Sequence, residues 1–142
     1  MDKESIDKSL LVDNQIDELI RVAVLLEELG EEWGLPVQLV ISLNLVLEEA
    51  LTNIILYGFD DGSRHSIEVN FKKTGDELSI SVVDDGHAYD PTLKADPDIT
   101  LSVEDRPVGG LGIFLIKKIM DKVEYQRKEN RNYLILTKNI KL

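Results

Sequence analysis

One stretch of sequence decides the fold: residues 37 to 58, VQLVISLNLVLEEALTNIILYG. Pro36 precedes it, and proline suits the first turn of a helix, while Gly58 is typical of the position that follows a last turn. The residues between them are much more apolar than those of the helical segment that comes before them. We therefore predict a helix from Val37 to about Tyr57 at the centre of the domain.

The chain before this helix carries a second helical pattern. Apolar residues recur at helical spacing from about Asn14 to Trp33, and Gly30 and Gly34 are expected to fray or end this helix. A short edge strand is expected near Ile6 to Leu11. The amino-terminal part therefore predicts a strand and two consecutive helices.

The periodicity changes after the central helix. Apolar and polar residues alternate from Ser66 to Lys73 and again from Asp76 to Val83, which predicts two antiparallel strands joined by a turn at Thr74-Gly75-Asp76. A helical spacing returns from Gly110 to Met120. Two further strands, Val123 to Arg127 and Tyr133 to Thr137, are expected to close a hairpin around Asn130-Arg131-Asn132. Helices, strands, a loop, a helix and strands in this order predict an α+β fold.

Composition narrows the classes of function. The chain has 142 residues, the size of a single domain, and we expect one domain over residues 1–142. Its net charge of −11 disfavours direct binding to nucleic acid or to anionic lipids. The absence of Cys excludes disulfides, Cys-ligated zinc and thiol catalysis. The charged first residues do not resemble a signal peptide, and we find no apolar run of 18 residues, so a cytoplasmic protein without a membrane segment is expected.

Polar side chains form a narrow stripe on the central helix. At 100° per residue, Ser42, Glu49 and Asn53 lie on one side of the helix, with Leu45 and Leu56 beside them. An amide oxygen suits Mg²⁺, and a carboxylate can act as a base or hold a water. Taken alone, the spacing favours an ordinary amphipathic helix edge with one local hydrogen bond over a ligand site.

Two further motifs carry candidate site residues. Asp84 and Gly86 follow an apolar strand, where a carboxylate could accept from an amine such as that of adenine, although Asp-Gly is also a common turn. Gly109-Gly110-Leu111-Gly112 precedes a helix, where backbone N–H groups can approach phosphates, although close helix packing explains such glycines equally well. Each motif alone leaves both interpretations open.

The three motifs in this order resemble the boxes of the Bergerat (GHKL) ATPases. The most similar branch is that of the anti-sigma factor serine kinases, in which Glu-Ala-x-Thr-Asn, Asp-x-Gly-x-x-[Phe/Tyr]-Asp-Pro and Gly-Gly-Leu-Gly are typical. Here these are residues 49 to 53, 84 to 91 and 109 to 112, and the resemblance spans nearly the whole chain. It implies a two-layer α/β sandwich in which helices cover one face of a mixed, mostly antiparallel sheet.

The resemblance also implies roles for individual residues. Asn53 would coordinate Mg²⁺ and Glu49 would be the general base, while Asp84 would bind the adenine amino group. Gly86 would let the backbone pass close to the base. Gly110, Leu111 and Gly112 would shape the phosphate-binding turn under a lid made by residues 92 to 108.

Some positions depart from the family pattern. Tyr57 stands where many relatives have His, and Ala88 replaces the second Gly of Asp-x-Gly-x-Gly. Arg106 is separated from the glycine motif by Pro107, whereas sporulation-type relatives have an Arg immediately before it. The resemblance therefore assigns no definite role to Tyr57 or Arg106.

The resemblance implies a function in transcription regulation. Its members bind ATP and Mg²⁺, form homodimers, bind a sigma factor, and phosphorylate a Ser on an anti-sigma antagonist of the STAS fold. We therefore expect an ATP-dependent protein serine kinase that is also an anti-sigma factor. The alternative is a non-catalytic, ATP-sensing interaction module of the same fold, and a domain that has lost nucleotide binding is a third reading.

Overall fold

The computed structural model describes residues 5–93 and 110–141, and the α+β prediction is confirmed in them. The predicted lid, residues 92–108, falls outside these ranges except for its first two residues, which belong to a single 3-10 turn. The described helices and strands are β1 (Ser5–Asp13), α1 (Leu19–Glu32), α2 (Val37–Tyr57), β2 (Ser66–Thr74), β3 (Glu77–Asp84), α3 (Gly110–Ile119), β4 (Lys122–Lys128) and β5 (Arg131–Asn139).

The five strands form one sheet in the order β1-β2-β3-β5-β4. Each pair of neighbours is antiparallel, so no parallel pair occurs among the described strands, although a mixed, mostly antiparallel sheet was expected. β1 lies at an edge, as predicted. Because β5 lies between β3 and β4, Asp84 at the end of β3 is paired with Asn132 near the start of β5.

The hydrophobic core lies between one face of this sheet and the helices. Alternate residues of β2, β3 and β5 point into it, as the period of two requires. The other face of the sheet carries polar side chains, and there Ser9 donates to Asn70, whose amide donates to Ser81. The residues that α2 buries in the core are Leu43, Val46, Leu47, Ala50 and Leu51.

The composition of the central helix contradicts one expectation from the sequence. The range Val37–Tyr57 contains an 18-residue window apolar enough to cross a membrane by length and composition, with mean hydropathy 1.7. The expectation that the chain has no such run is therefore wrong. A core helix needs this composition because one of its faces packs on the sheet and its flanks pack on α1 and α3.

The first helix begins later than predicted and ends at Glu32, within one residue of the predicted end. Asn14 is outside it, because its side chain donates to the Ser63 carbonyl and accepts from the His65 N–H. A 3-10 turn, Ile16–Glu18, precedes α1. Gly30 neither frays nor ends the helix but lies inside it, where a Cβ would come within 2.7 Å of Val40 Cγ2, so the glycine allows α1 and α2 to approach closely.

The last hairpin turns earlier than predicted. Glu129 and Asn130 both have positive φ, 53° and 63°, so the turn lies at these two residues rather than at 130 to 132. Two successive left-handed residues match the twist of a hairpin, and Asn tolerates this conformation. As a result, Asn132 belongs to β5, and its side chain points to the buried face.

Candidate functional site

A cleft of about 570 Å³ opens where α2 and α3 meet the ends of β3 and β5. Its wall is apolar for most of its area, and a few polar groups converge on it, as in typical small-molecule sites. Three of the predicted site motifs contribute side chains or backbone to this wall. The polar residues among its described lining include Glu49, Thr52, Asn53, Asp84, Tyr125 and Asn132.

Glu49 and Asn53 lie one helical turn apart on α2 and line the same end of the cleft. Both are half-buried, and neither side chain forms a hydrogen bond or ion pair with the described part of the chain. Leu45 and Leu56, which were expected to embed them in apolar surroundings, are instead 38% and 55% exposed, because the opposite face of α2 packs on the sheet. Within the described part of the chain, no other group competes with a ligand for these two side chains.

The glycine motif reaches this end of the cleft through α3. A Cβ on Gly112 would lie 2.8 Å from Glu49 Oε2, so the carboxylate rests directly against the glycine backbone. Real Cβ atoms do not approach so closely, and the side chain of Glu49 would have to move to admit one. The structure thus connects two motifs that are separated by about sixty residues of sequence.

The segment that follows Asp84 contacts Gly58 at the end of α2, nine residues beyond Glu49, so Asp84 lies toward the other end of the cleft. Its side chain is buried, 5% exposed. Its Oδ1 accepts from the Gly86 N–H at 2.8 Å and from Asn132 Nδ2 at 3.0 Å. Burial raises the pKa of this carboxyl above its usual value, and these two donors oppose that rise without cancelling it. Oδ1 is occupied and Oδ2 has no hydrogen-bond partner among the described residues, so the second oxygen can accept from a ligand.

Asn132 is a site residue that the sequence analysis missed. Its Nδ2 donates to Asp84 Oδ1 and to the His87 carbonyl at 2.8 Å, and its Oδ1 accepts from Tyr125 Oη at 2.6 Å and from Arg127 at 3.1 Å. Only this orientation of the amide gives every donor an acceptor. Asn132 therefore fixes both the carboxylate of Asp84 and the backbone that follows it.

Gly86 is required for a contact that the sequence did not suggest. A Cβ there would overlap the Gly58 carbonyl oxygen, and the same carbonyl accepts from the His87 N–H at 2.9 Å. Gly86 does not line the cleft, so its observed role is to let the segment after β3 approach the end of α2. The proposed approach of Gly86 to adenine remains a prediction.

The other predicted site residues have clear positions. Gly110 and Leu111 are the first two residues of α3. Tyr57 and Ala88 line the cleft, and Tyr57 is largely exposed. Arg106 lies outside the described residues.

Fold and cleft together define an α+β domain with an open cleft between a helical layer and one end of an antiparallel sheet. The chain belongs to the histidine kinase-like ATPase domain family, whose model matches residues 12–138. Domains of this family use ATP, which agrees with a cleft that offers a buried acceptor at one end and polar side chains at the other.

Curated relatives carry kinase names. The chain is 35% identical over 109 residues to the serine/threonine-protein kinase BtrW of Bordetella bronchiseptica, covering 77% of this chain and 75% of that protein. It is 30% identical over 101 residues to the serine-protein kinase RsbW of Halalkalibacterium halodurans, covering 68% of this chain and 60% of that protein.

Solved structures support the fold. The RsbU and RsbW domains of Rv1364c from Mycobacterium tuberculosis align with 95% of this chain at a TM-score of 0.69, and the alignment covers 32% of that longer chain. The histidine kinase domain of a blue-light activated kinase from Erythrobacter litoralis aligns with 88% of this chain and 60% of that one, at a TM-score of 0.56. Sequence identity is 14% in both cases, so these likenesses concern the fold alone.

Proposed function

We propose that this chain is an ATP- and Mg²⁺-dependent protein serine kinase of the anti-sigma factor class. The single observation that carries the proposal is the pairing within one cleft of a buried carboxylate, Asp84, with two polar side chains, Glu49 and Asn53, that have no partner among the described residues. Such a kinase needs an acceptor for the adenine amino group, which Asp84 would supply. It also needs polar groups beside the phosphate that is transferred, which Glu49 and Asn53 would supply. The names of the curated relatives support the same activity.

ATP would lie along the cleft with its base at the β3 end. The free oxygen of Asp84 would accept from the adenine amino group, in apolar surroundings that include Ile113 and Leu134. The phosphates would then point toward the start of α3, where the N–H groups of Gly110, Leu111 and Gly112 have no partners within the helix. This direction brings the terminal phosphate to the end of the cleft that Glu49 lines.

The side chains at that end suit Mg²⁺. This ion prefers oxygen ligands, and it usually takes one or two from protein and the rest from phosphates and water. The amide oxygen of Asn53 meets this requirement because its side chain has no partner among the described residues and faces the cleft. When bound, the ion would neutralise charge on the phosphates during transfer.

Glu49 would act as the general base. It would accept the proton of the attacking Ser hydroxyl while the oxygen forms a bond to the γ-phosphorus and the bond to the β-phosphate oxygen breaks, which leaves ADP. Gly112 would hold the carboxylate in place by direct contact with Oε2. Phosphoryl transfer depends mainly on such positioning and on charge stabilisation.

The protein partners follow from the family resemblance. In the cytoplasm, a homodimer of this chain would bind a sigma factor and would phosphorylate a Ser of a STAS-domain antagonist. In this proposal residues 1–142 form one ATPase domain, and the net charge of −11 keeps it from binding nucleic acid directly.

A transfer assay tests the proposal. The purified chain is incubated with Mg-ATP and each STAS-domain protein encoded in the same genome, and the products are analysed by mass spectrometry. We expect one phosphoryl group on one Ser of one of these proteins. ATP binding without transfer to any of them would instead favour the non-catalytic, ATP-sensing alternative.

Substitution of Gly112 by Ala tests the contact with Glu49. The added methyl would displace the end of a flexible side chain, so the melting temperature should change little. Transfer should fall by about 100-fold, because a misplacement of about 1 Å can have that effect. In a double-mutant cycle with Glu49→Gln, Gly112→Ala should cause almost no further loss, and full additivity would contradict the assigned contact.

A further inference from the structure

A histidine cluster outside the cleft connects the loop after α2 to the segment that contains Asp84. The ring of His65 stacks on Phe59, with centroids 4.4 Å apart. Its Nδ1 lies 3.0 Å from Asp85 Oδ1, and its Nε2 lies 2.8 Å from Asp61 Oδ2. Asp85 immediately follows the proposed adenine-binding residue, so His65 holds the backbone next to that site.

The two contacts determine the protonation state of the ring. A neutral imidazole has one N–H and one acceptor nitrogen, and ionised carboxylates only accept. Both nitrogens of His65 face carboxylate oxygens, so both must donate, and the arrangement requires the imidazolium ion. In agreement, the hydrogen bond to Asp61 raises the pKa of His65 above its usual value, and the two carboxylates add to that rise.

We call the two hydrogen bonds from His65 to Asp61 and Asp85 the His65 clamp, and other charged groups near the ring do not replace it. The backbone of His65 pairs with Asn14 at the end of β1, and the adjacent residues Asp13 and Arg64 form an ion pair with each other at 3.8 Å. A second histidine, His87, lies 3.3 Å from Asp60 and is largely exposed. The side chain of His65 is only 19% exposed, and it is the one among these described groups that contacts two carboxylates from different segments.

We infer that His65 is a positioning residue for nucleotide binding, and that its protonated form fixes the segment from Asp84 to His87 in the geometry that binds adenine. This inference rests on the proposed function of the cleft. Loss of the proton removes one of the two hydrogen bonds and leaves two carboxylates without a cation between them. Asp85 is then released, and the backbone on which Asp84 and Gly86 lie is less well fixed.

The sign of the pH dependence follows. Because the pKa of His65 is raised in the folded chain, the clamp is complete below the ordinary histidine value of about 6.5, and it is lost as the pH rises through the raised value. ATP affinity should therefore decrease over this range. The carboxylates are half exposed, so the effect should be largest at low ionic strength.

The test compares ATP dissociation constants of the wild type and His65→Gln at about pH 6 and about pH 8.5. The terminal phosphate of ATP titrates in the same range and affects both proteins alike. The informative quantity is therefore the ratio of the His65→Gln constant to the wild-type constant at each pH. We expect His65→Gln to bind about threefold more weakly at the lower pH and equally at the higher pH. Glu48→Gln, at an exposed side chain that does not line the cleft, is the control and should show a constant ratio; a constant ratio for His65→Gln overturns the inference.

A nucleotide-free measurement separates this inference from the proposed function. In an NMR titration, the amide resonances of Asp85 and Gly86 should follow the protonation of the His65 ring, and Asp85→Asn should lower the pKa of that ring. Failure of the wild type to bind ATP at either pH would overturn the proposed function. If the chemical shifts of these amides did not change as the His65 ring is titrated, the inference about His65 would be wrong.

Discussion

Substitution of Asp84 by Asn is expected to weaken ATP binding by at least about 100-fold while the domain remains folded. The carboxamide oxygen can still accept from the Gly86 N–H and Asn132, which keeps the local hydrogen bonds. Its NH₂ group then takes the place of the free oxygen and faces the adenine amino group, so a donor meets a donor. Isothermal titration calorimetry with Mg-ATP measures the loss.

The fold should tolerate this change because Asn carries no charge, whereas burial disfavours the ionised form of Asp84. Its pKa is raised in the folded chain, so its contribution to stability is greatest below the unfolded value of about 3.9 and falls as the pH rises through the folded value. Asp84→Asn should thus unfold at the same temperature as the wild type near neutral pH, or higher. Asp60→Asn, at an exposed carboxylate, is the control and should bind ATP normally. Normal ATP binding by Asp84→Asn would show that adenine does not bind at this end of the cleft.

Substitution of Glu49 by Gln is expected to lower phosphoryl transfer by about 10² to 10⁴-fold, the usual contribution of a general base. ATP affinity should change by no more than about threefold, because the side chain has no hydrogen-bond partner among the described residues and Gln has the same shape. The rate constant of a single turnover with the STAS-domain substrate is the quantity to measure, since it separates the chemical step from binding.

Glu48 provides the matched control for this prediction. It has the same charge and is adjacent in sequence, but it is exposed and does not line the cleft. Glu48→Gln should transfer phosphate at the wild-type rate. If Glu49→Gln also kept the wild-type rate, another group would have to accept the proton, and the proposed mechanism would be wrong.

Much of the fold could be predicted because its signals are local. The range of α2, the edge position of β1 and the turn around Gly75 follow from periodicity, Pro36 and the glycines. The start of α1 could not be predicted, because Asn14 is bound to a loop some fifty residues away. The turn at Glu129 and Asn130 was misplaced by one or two residues, since several adjacent polar residues there favour a turn equally.

The site was predictable only in part, for the same reason. Its motifs could be recognised in order, but their contacts are distant in sequence, such as Gly112 against Glu49 and Gly86 against Gly58. Asn132 was missed because it was assigned to a turn. Placed in β5, it occupies the inward series with Leu134 and Leu136, where a polar residue signals a buried hydrogen-bond network.

The most direct test of the account is a structure of the chain with a non-hydrolysable ATP analogue and Mg²⁺. We predict that the adenine amino group lies within hydrogen-bond distance of Asp84, and that the metal ion is coordinated by the amide oxygen of Asn53, with the γ-phosphate beside Glu49. A nucleotide bound in the reverse direction, or outside this cleft, would contradict the account.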